Sequence, residues 1–158
     1  MIKIRKASLK DSEKIYNLNM DLAKYELRFD SIRKRPQKKK RYHRGYEDLR
    51  EKLKKRDCQF FIAEDQRKPI GFIEGCIKKT PLLYKYPRKG EIGPTFVKKE
   101  YRKRDIGKEL VKKILNWFKS KDIRWIQLTT HAKNIHAINF WKKLGFREYS
   151  IRMNMLSK

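Results

Sequence analysis

Apolar residues recur along this chain in two rhythms, one of period two and one close to 3.6. Ile2 and Ile4 alternate with Lys3 and Arg5, which predicts a short first strand. Ser8 and Asp11 then supply oxygens suited to capping a helix. Ile15, Leu18, Leu22, Tyr25 and Phe29 follow at spacings of three and four, one face of that helix. Tyr46, Leu49 and Leu53 mark a second, shorter helix. Gln59–Ala63, Ile70–Ile77 and Glu91–Val97 read as three strands, separated by turn-rich segments around Pro69 and between Pro81 and Pro87. A strongly amphipathic helix starts near Ile106, with Leu110, Val111, Ile114, Leu115 and Phe118 inward. Trp125–Thr129 predicts a strand, Ile135–Leu144 a helix, and the alternation from Phe146 to Met155 a last strand.

The predicted order is β-α-α-β-β-β-α-β-α-β, without repeats or low-complexity linkers. It implies an α/β chain forming one domain over residues 1–158, a mixed sheet with helices on both faces. No apolar run approaches the roughly 18 residues of a membrane span. The charged start carries no secretory pattern, so the expectation is a soluble cytoplasmic protein without a membrane partner. Two cysteines, Cys58 and Cys76, make neither a disulfide framework nor a zinc cluster, and Cys76 reads as a buried small hydrophobe. No metal is expected.

Charge changes the picture. The chain is a basic protein, with 44 Lys and Arg against 18 Asp and Glu, a net of +26. Such a surface attracts anions at long range. Between Arg33 and Arg44, eight of twelve residues are Lys or Arg and Pro36 interrupts any helix, which predicts a mobile basic loop. Tyr42 and His43 in that loop are available for stacking, so an acidic protein or a nucleic acid is a candidate partner.

The stretch from Glu91 to Lys108 carries the most chemistry. A strand ends at Val97, a short basic connection follows, and a helix begins at Ile106. A helix N-terminus presents unpaired N–H groups and a partial positive charge, which suits a phosphate. Arg102, Lys103, Arg104 and Lys108 crowd that terminus with cations. Gly93-Pro94 inside the preceding strand predicts a bulge or an unpaired edge, because proline offers no N–H to a ladder.

Arg102-Lys103-Arg104-Asp105-Ile106-Gly107 resembles the acetyl-CoA loop of the GNAT acetyltransferases, Gln/Arg-x-x-Gly-x-Gly/Ala, with Asp105 in place of the middle glycine. Asp tolerates left-handed backbone better than most residues, so the turn is expected to survive at a cost of about 1–2 kcal/mol. Its carboxylate can also cap the helix. Asn134-Ile-His-Ala137-Ile-Asn-Phe140-Trp141-Lys-Lys-Leu144-Gly145-Phe146 is similar to the late signature of the same family, Asn-x-x-Ala-x-x-Phe/Leu-Tyr-x-x-x-Gly-Phe.

The resemblance implies a GNAT-like fold with a mostly antiparallel central sheet. It also implies an acyltransferase that moves an acetyl group from acetyl-CoA, as co-substrate, to a primary amine. The pyrophosphate would lie at Arg102, Lys103, Arg104, Ile106, Gly107 and Lys108. The pantetheine arm would run along Thr95, Phe96, Val97, Asn134 and Phe140, with backbone N–H groups of Thr95 and Val97 on the thioester carbonyl. Glu91, six residues before Val97, stands where the histone-type members carry their catalytic base. Members with an acidic residue further along this strand place it near Gly93 or Pro94, neither of which is acidic here. Trp141 replaces the tyrosine that protonates the departing thiolate, leaving Tyr149, His131 and His136 as stand-ins, or no acid at all. A homodimer is a candidate assembly, which the sequence does not decide. The alternative is a nucleic-acid-binding protein on the same fold with weakened catalysis.

Overall fold

The computed structural model of the protein describes residues 1–33 and 38–157, the side chains of 38–44 excepted. Five strands form one sheet in the order β1-β2-β3-β4-β5: Ile2–Lys6, Cys58–Asp65, Lys68–Lys79, Arg88–Val97 and Ile126–Leu128. All neighbours are antiparallel except β4 and β5. That parallel pair is joined by helix α3 (Ile106–Ser120), as a parallel crossover requires. Helices α1 (Ser12–Glu26) and α2 (Lys38–Lys54) cover one face, and α3 covers the other. Helix α4 (Ile135–Lys143) adds Trp141 to the α3 side.

Strand alternation feeds both cores. Phe60, Ile62, Phe72 and Phe96 meet Ile15, Tyr16, Leu18 and Leu49 from α1 and α2. Ala63, Ile73 and Ile92 meet Ile106, Leu110, Val111, Ile114 and Phe118 from α3. The 3.6-residue spacing of that last set is the pattern the sequence displays, and each of its five residues is buried.

Three expectations are corrected. Helix α2 begins at Lys38, so residues 38–44 are helical, whereas Lys34–Gln37 of the expected loop lie outside the described residues. Lys and Arg are good helix formers, and like-charge neighbours on a helix cost only about 0.2–0.5 kcal/mol per pair, too little to unwind it. Residues 146–157 form no strand: the alternation is present but nothing pairs with it, and Ile151, Met153 and Met155 are exposed. Cys58 and Cys76 are bonded to each other across β2 and β3, where the register sets them opposite one another. Cys76 is buried as expected, but as half of a cross-strand bridge.

Candidate active site

The site is built around a break in the ladder between β3 and β4. Ile73 pairs with Thr95 and Gly75 with Ile92, so two steps on β3 match three on β4. Ile92 and Val97 both pack toward α3 although five residues separate them, which regular alternation forbids. The extra residue falls at Gly93-Pro94, and the expected bulge is there. On the other edge of β4, pairing with β5 covers only Gly90, Glu91 and Ile92. Strand β5 ends at Leu128, opposite Ile92, so among the described residues no strand pairs with this edge of β4 from Gly93 to Val97, whose backbone borders the opening left there.

At the C-terminal end of that opening the chain turns into α3. Lys103 and Asp105 both adopt left-handed backbone, at φ of 62° and 55°. Asp105 thus holds the conformation for which a glycine is the usual choice. Its carbonyl accepts from the Glu109 N–H at 2.9 Å, but its carboxylate makes no capping hydrogen bond, so the expected side-chain cap is absent. Arg102 bends back: its Nε donates to the Val97 carbonyl at 2.9 Å and its guanidinium lies over the Tyr25 ring. Lys103, Arg104 and Lys108 remain as exposed cations around the terminus. A Cβ on Gly107 would come within 3.3 Å of the Phe140 ring, so this glycine lets α3 and α4 approach. Ile106 is a core residue beneath them.

The remaining predicted residues take clear positions. Phe96 turns its side chain into the α1–α2 core, so only its backbone borders the opening. Asn134 caps α4, its Oδ1 accepting from the Ala137 N–H at 3.2 Å. Trp141 is buried against Phe140 and Phe146, a packing residue. Tyr149 is exposed and packs on Trp125, whose carbonyl accepts from the Gly90 N–H, at the paired end of β4–β5 rather than at the opening. His131 accepts from the Lys133 N–H through Nδ1 and lies near Phe29, and His136 is exposed on α4.

Two carboxylates occupy the α1–α2 face beside the bulge. Glu91 pairs with Cys76 on β3 and Gln127 on β5, is about half exposed, and has Lys89 at 3.9 Å. Glu74, two residues before Cys76, was missed by sequence reasoning. It is 6% exposed, and its carboxylate lies over Gly93: a Cβ there would be 3.0 Å from the carboxyl carbon. Lys52 from α2 donates to its Oε1 at 2.5 Å. One signal was legible in the sequence, a single acid within the apolar run Ile70–Ile77. Among the described residues there is no cluster fit to hold a metal ion, and no helix is long and apolar enough to cross a membrane.

The acetyltransferase (GNAT) family profile matches residues 24–146. An uncharacterised N-acetyltransferase of Methanocaldococcus jannaschii is 32% identical over 114 residues, 72% of this chain and 49% of its own length. An N-alpha-acetyltransferase of Sulfurisphaera tokodaii is 31% identical over 109 residues, 64% of each chain. The matches thus span about half of one relative and just under two thirds of the other. Among solved structures, a predicted acetyltransferase with acetyl-CoA from Clostridium acetobutylicum superposes with a TM-score of 0.75 at 22% identity, covering 99% of this chain and 96% of that one.

Proposed function

The chain belongs to the GNAT acetyltransferase family, and we propose that it transfers an acetyl group from acetyl-CoA to a primary amine by direct attack, without a covalent enzyme intermediate. The parting of β4 and β5 at Gly93, beside a cationic helix N-terminus, is the observation that carries this reading. It offers an extended arm a slot with a phosphate-binding end, and the Clostridium relative was solved with that co-substrate.

In this reading Lys103, Arg104, Lys108 and the first N–H groups of α3, with Ile106 and Gly107 fixing their position, hold the pyrophosphate. Arg102 supports the turn from the end of β4. The arm follows the backbone of Thr95, Phe96 and Val97 on one side and reaches Asn134 and Phe140 on the other. Backbone N–H groups of Thr95 and Val97 are the donors for the thioester carbonyl, where negative charge develops during attack. Glu91 takes the proton from the acceptor amine through water, as its half-exposed position allows. A thiol with a reference pKa near 8.5 leaves readily as thiolate and takes its proton from water, since Tyr149, the expected acid, packs on Trp125 away from the opening. Holding both reactants in one slot supplies much of the acceleration. The name of the Sulfurisphaera relative makes a peptide α-amine the first acceptor to try. The nucleic-acid reading rests on the 33–44 stretch, where the side chains of 34–44 lie outside the described residues.

Isothermal titration with acetyl-CoA tests the proposal. Micromolar binding by the wild type, weakened at least tenfold in Gly107→Glu, supports it. Absence of binding at millimolar ligand overturns it, because the left-handed Asp105 turn would then not admit a phosphate.

A further inference from the structure

Glu74 and Lys52 form an ion pair that reaches from β3 to α2. The carboxylate belongs to β3 and is buried at the one place where β3 and β4 fall out of register. Glycine at residue 93 leaves it that room: a Cβ there would sit 3.0 Å from the carboxyl carbon and press the side chain aside by a few tenths of an ångström. The ammonium comes from the outer end of α2, on a side chain 39% exposed, and makes a single hydrogen bond. A flexible lysine therefore places a primary ammonium on a buried carboxylate, level with the point where β4 and β5 part. An amine acceptor needs the same environment: a carboxylate to hold the ammonium and an opening that delivers the thioester.

We propose that Glu74 is the ammonium-binding group of the acceptor site, and that Lys52 occupies this site in the resting protein and is itself acetylated there. The inference rests on the acetyl-transfer reading above. The Lys52 ammonium gives up one proton to become an amine, and its Nζ lone pair adds to the thioester carbonyl carbon. The N–C bond forms, the C–S bond breaks, and sulfur leaves with the electron pair. Loss of the second proton completes the amide; the thiolate takes up one proton and one goes to water. The products are Nε-acetyl-Lys52, free CoA thiol and one net proton. Acetyl-Lys52 carries no charge, so Glu74 is then open to the ammonium of an external acceptor.

The test incubates the purified protein with acetyl-CoA and follows acetylation of each lysine by mass spectrometry. Lys52 should be modified at least tenfold faster than the exposed Lys3 and Lys119, which report uncatalysed chemistry. Glu74→Gln should bring Lys52 down to their rate. Lys52→Arg, which keeps a cation on Glu74, should leave the background of the other lysines unchanged and raise the apparent KM of an added lysine-containing peptide above that of pre-acetylated wild type. Modification of Lys52 at the rate of Lys3 and Lys119, with acetyl-CoA binding intact by calorimetry, overturns this inference alone. Loss of acetyl-CoA binding in the wild type overturns the acetyl-transfer reading and this inference with it.

Discussion

Among the described residues, two clusters bury carboxylates beside cations, and they are built in opposite ways. Around Arg5 the structure is closed. Its Nη1 and Nη2 donate to Asp11 at 2.8 and 2.7 Å, and its Nε and Nη2 to Glu64 at 2.9 and 3.0 Å. Lys14 adds a bond to Glu64 at 2.9 Å, and the Ser8 N–H and hydroxyl donate to Asp11. The cluster ties β1 and β2 to the turn that begins α1. Arg5, opposed by burial and helped by Ser8, holds the Asp11 carboxyl well below the usual carboxylate range. Glu64 is lowered by Arg5 and then by Lys14, again against burial. Around Glu74 there is one lysine, one short bond, and a half-exposed approach from a helix end. A carboxylate with every direction filled is fixed; one with a single mobile partner can exchange it.

Removing the closed cluster's cation should have the largest effect. Arg5→Ala leaves two buried carboxylates short of partners and should cost about 3 kcal/mol by denaturant unfolding, while acetyl-CoA affinity of the folded protein stays within twofold. A small loss in that experiment would erase the distinction between the clusters. Acid sharpens it. Asp11 and Glu64 have folded pKa values below their unfolded ones, so their stabilisation is present above the unfolded values near 4 and is lost as pH falls through the folded ones. Wild-type stability should therefore decline below about pH 4, and the decline should be shallower in Arg5→Ala.

Gly107→Glu touches neither cluster. It should raise the Kd for acetyl-CoA about 30-fold, or about 2 kcal/mol, because the new side chain meets Phe140 and adds an anion. Glu74→Gln should cost less than about 1 kcal/mol of stability, since a neutral amide of the same shape keeps a hydrogen bond, yet lower amine turnover about tenfold. The smallest effect is expected from Tyr149→Phe, which removes a hydroxyl from an exposed ring; kcat should change less than about threefold, because the thiolate can be protonated by water.

Where periodicity and local chemistry decide the structure, the sequence is a good guide. The inward face of α3, the bulge at Gly93-Pro94 and the left-handed turn at Asp105 all follow from residues close together in the chain. Pairings between distant segments are less accessible. Glu74 matters because of what lies opposite it on β4, and Cys58 meets Cys76 only through the β2–β3 register. The charge run before Tyr46 suggested a loop because repulsion was weighed above helix propensity, and α2 shows the opposite balance. Phe146–Met155 has the rhythm of a strand, but a rhythm cannot supply the neighbour that a ladder needs.

The one-residue excess in β4 has a consequence best seen by counting. Before the bulge, even-numbered residues such as Gly90 and Ile92 face α3; after it, the odd-numbered Val97 does. Deleting Pro94 would merge the two reading frames while leaving Phe96 and Val97 on the faces they already occupy. The shortened strand would be the more regular one, with proline gone and a full ladder available, so the deletion protein should fold. In the acetyl-transfer reading, its regularity should close the gap between β4 and β5 and leave a folded protein that no longer binds acetyl-CoA, a result calorimetry can read.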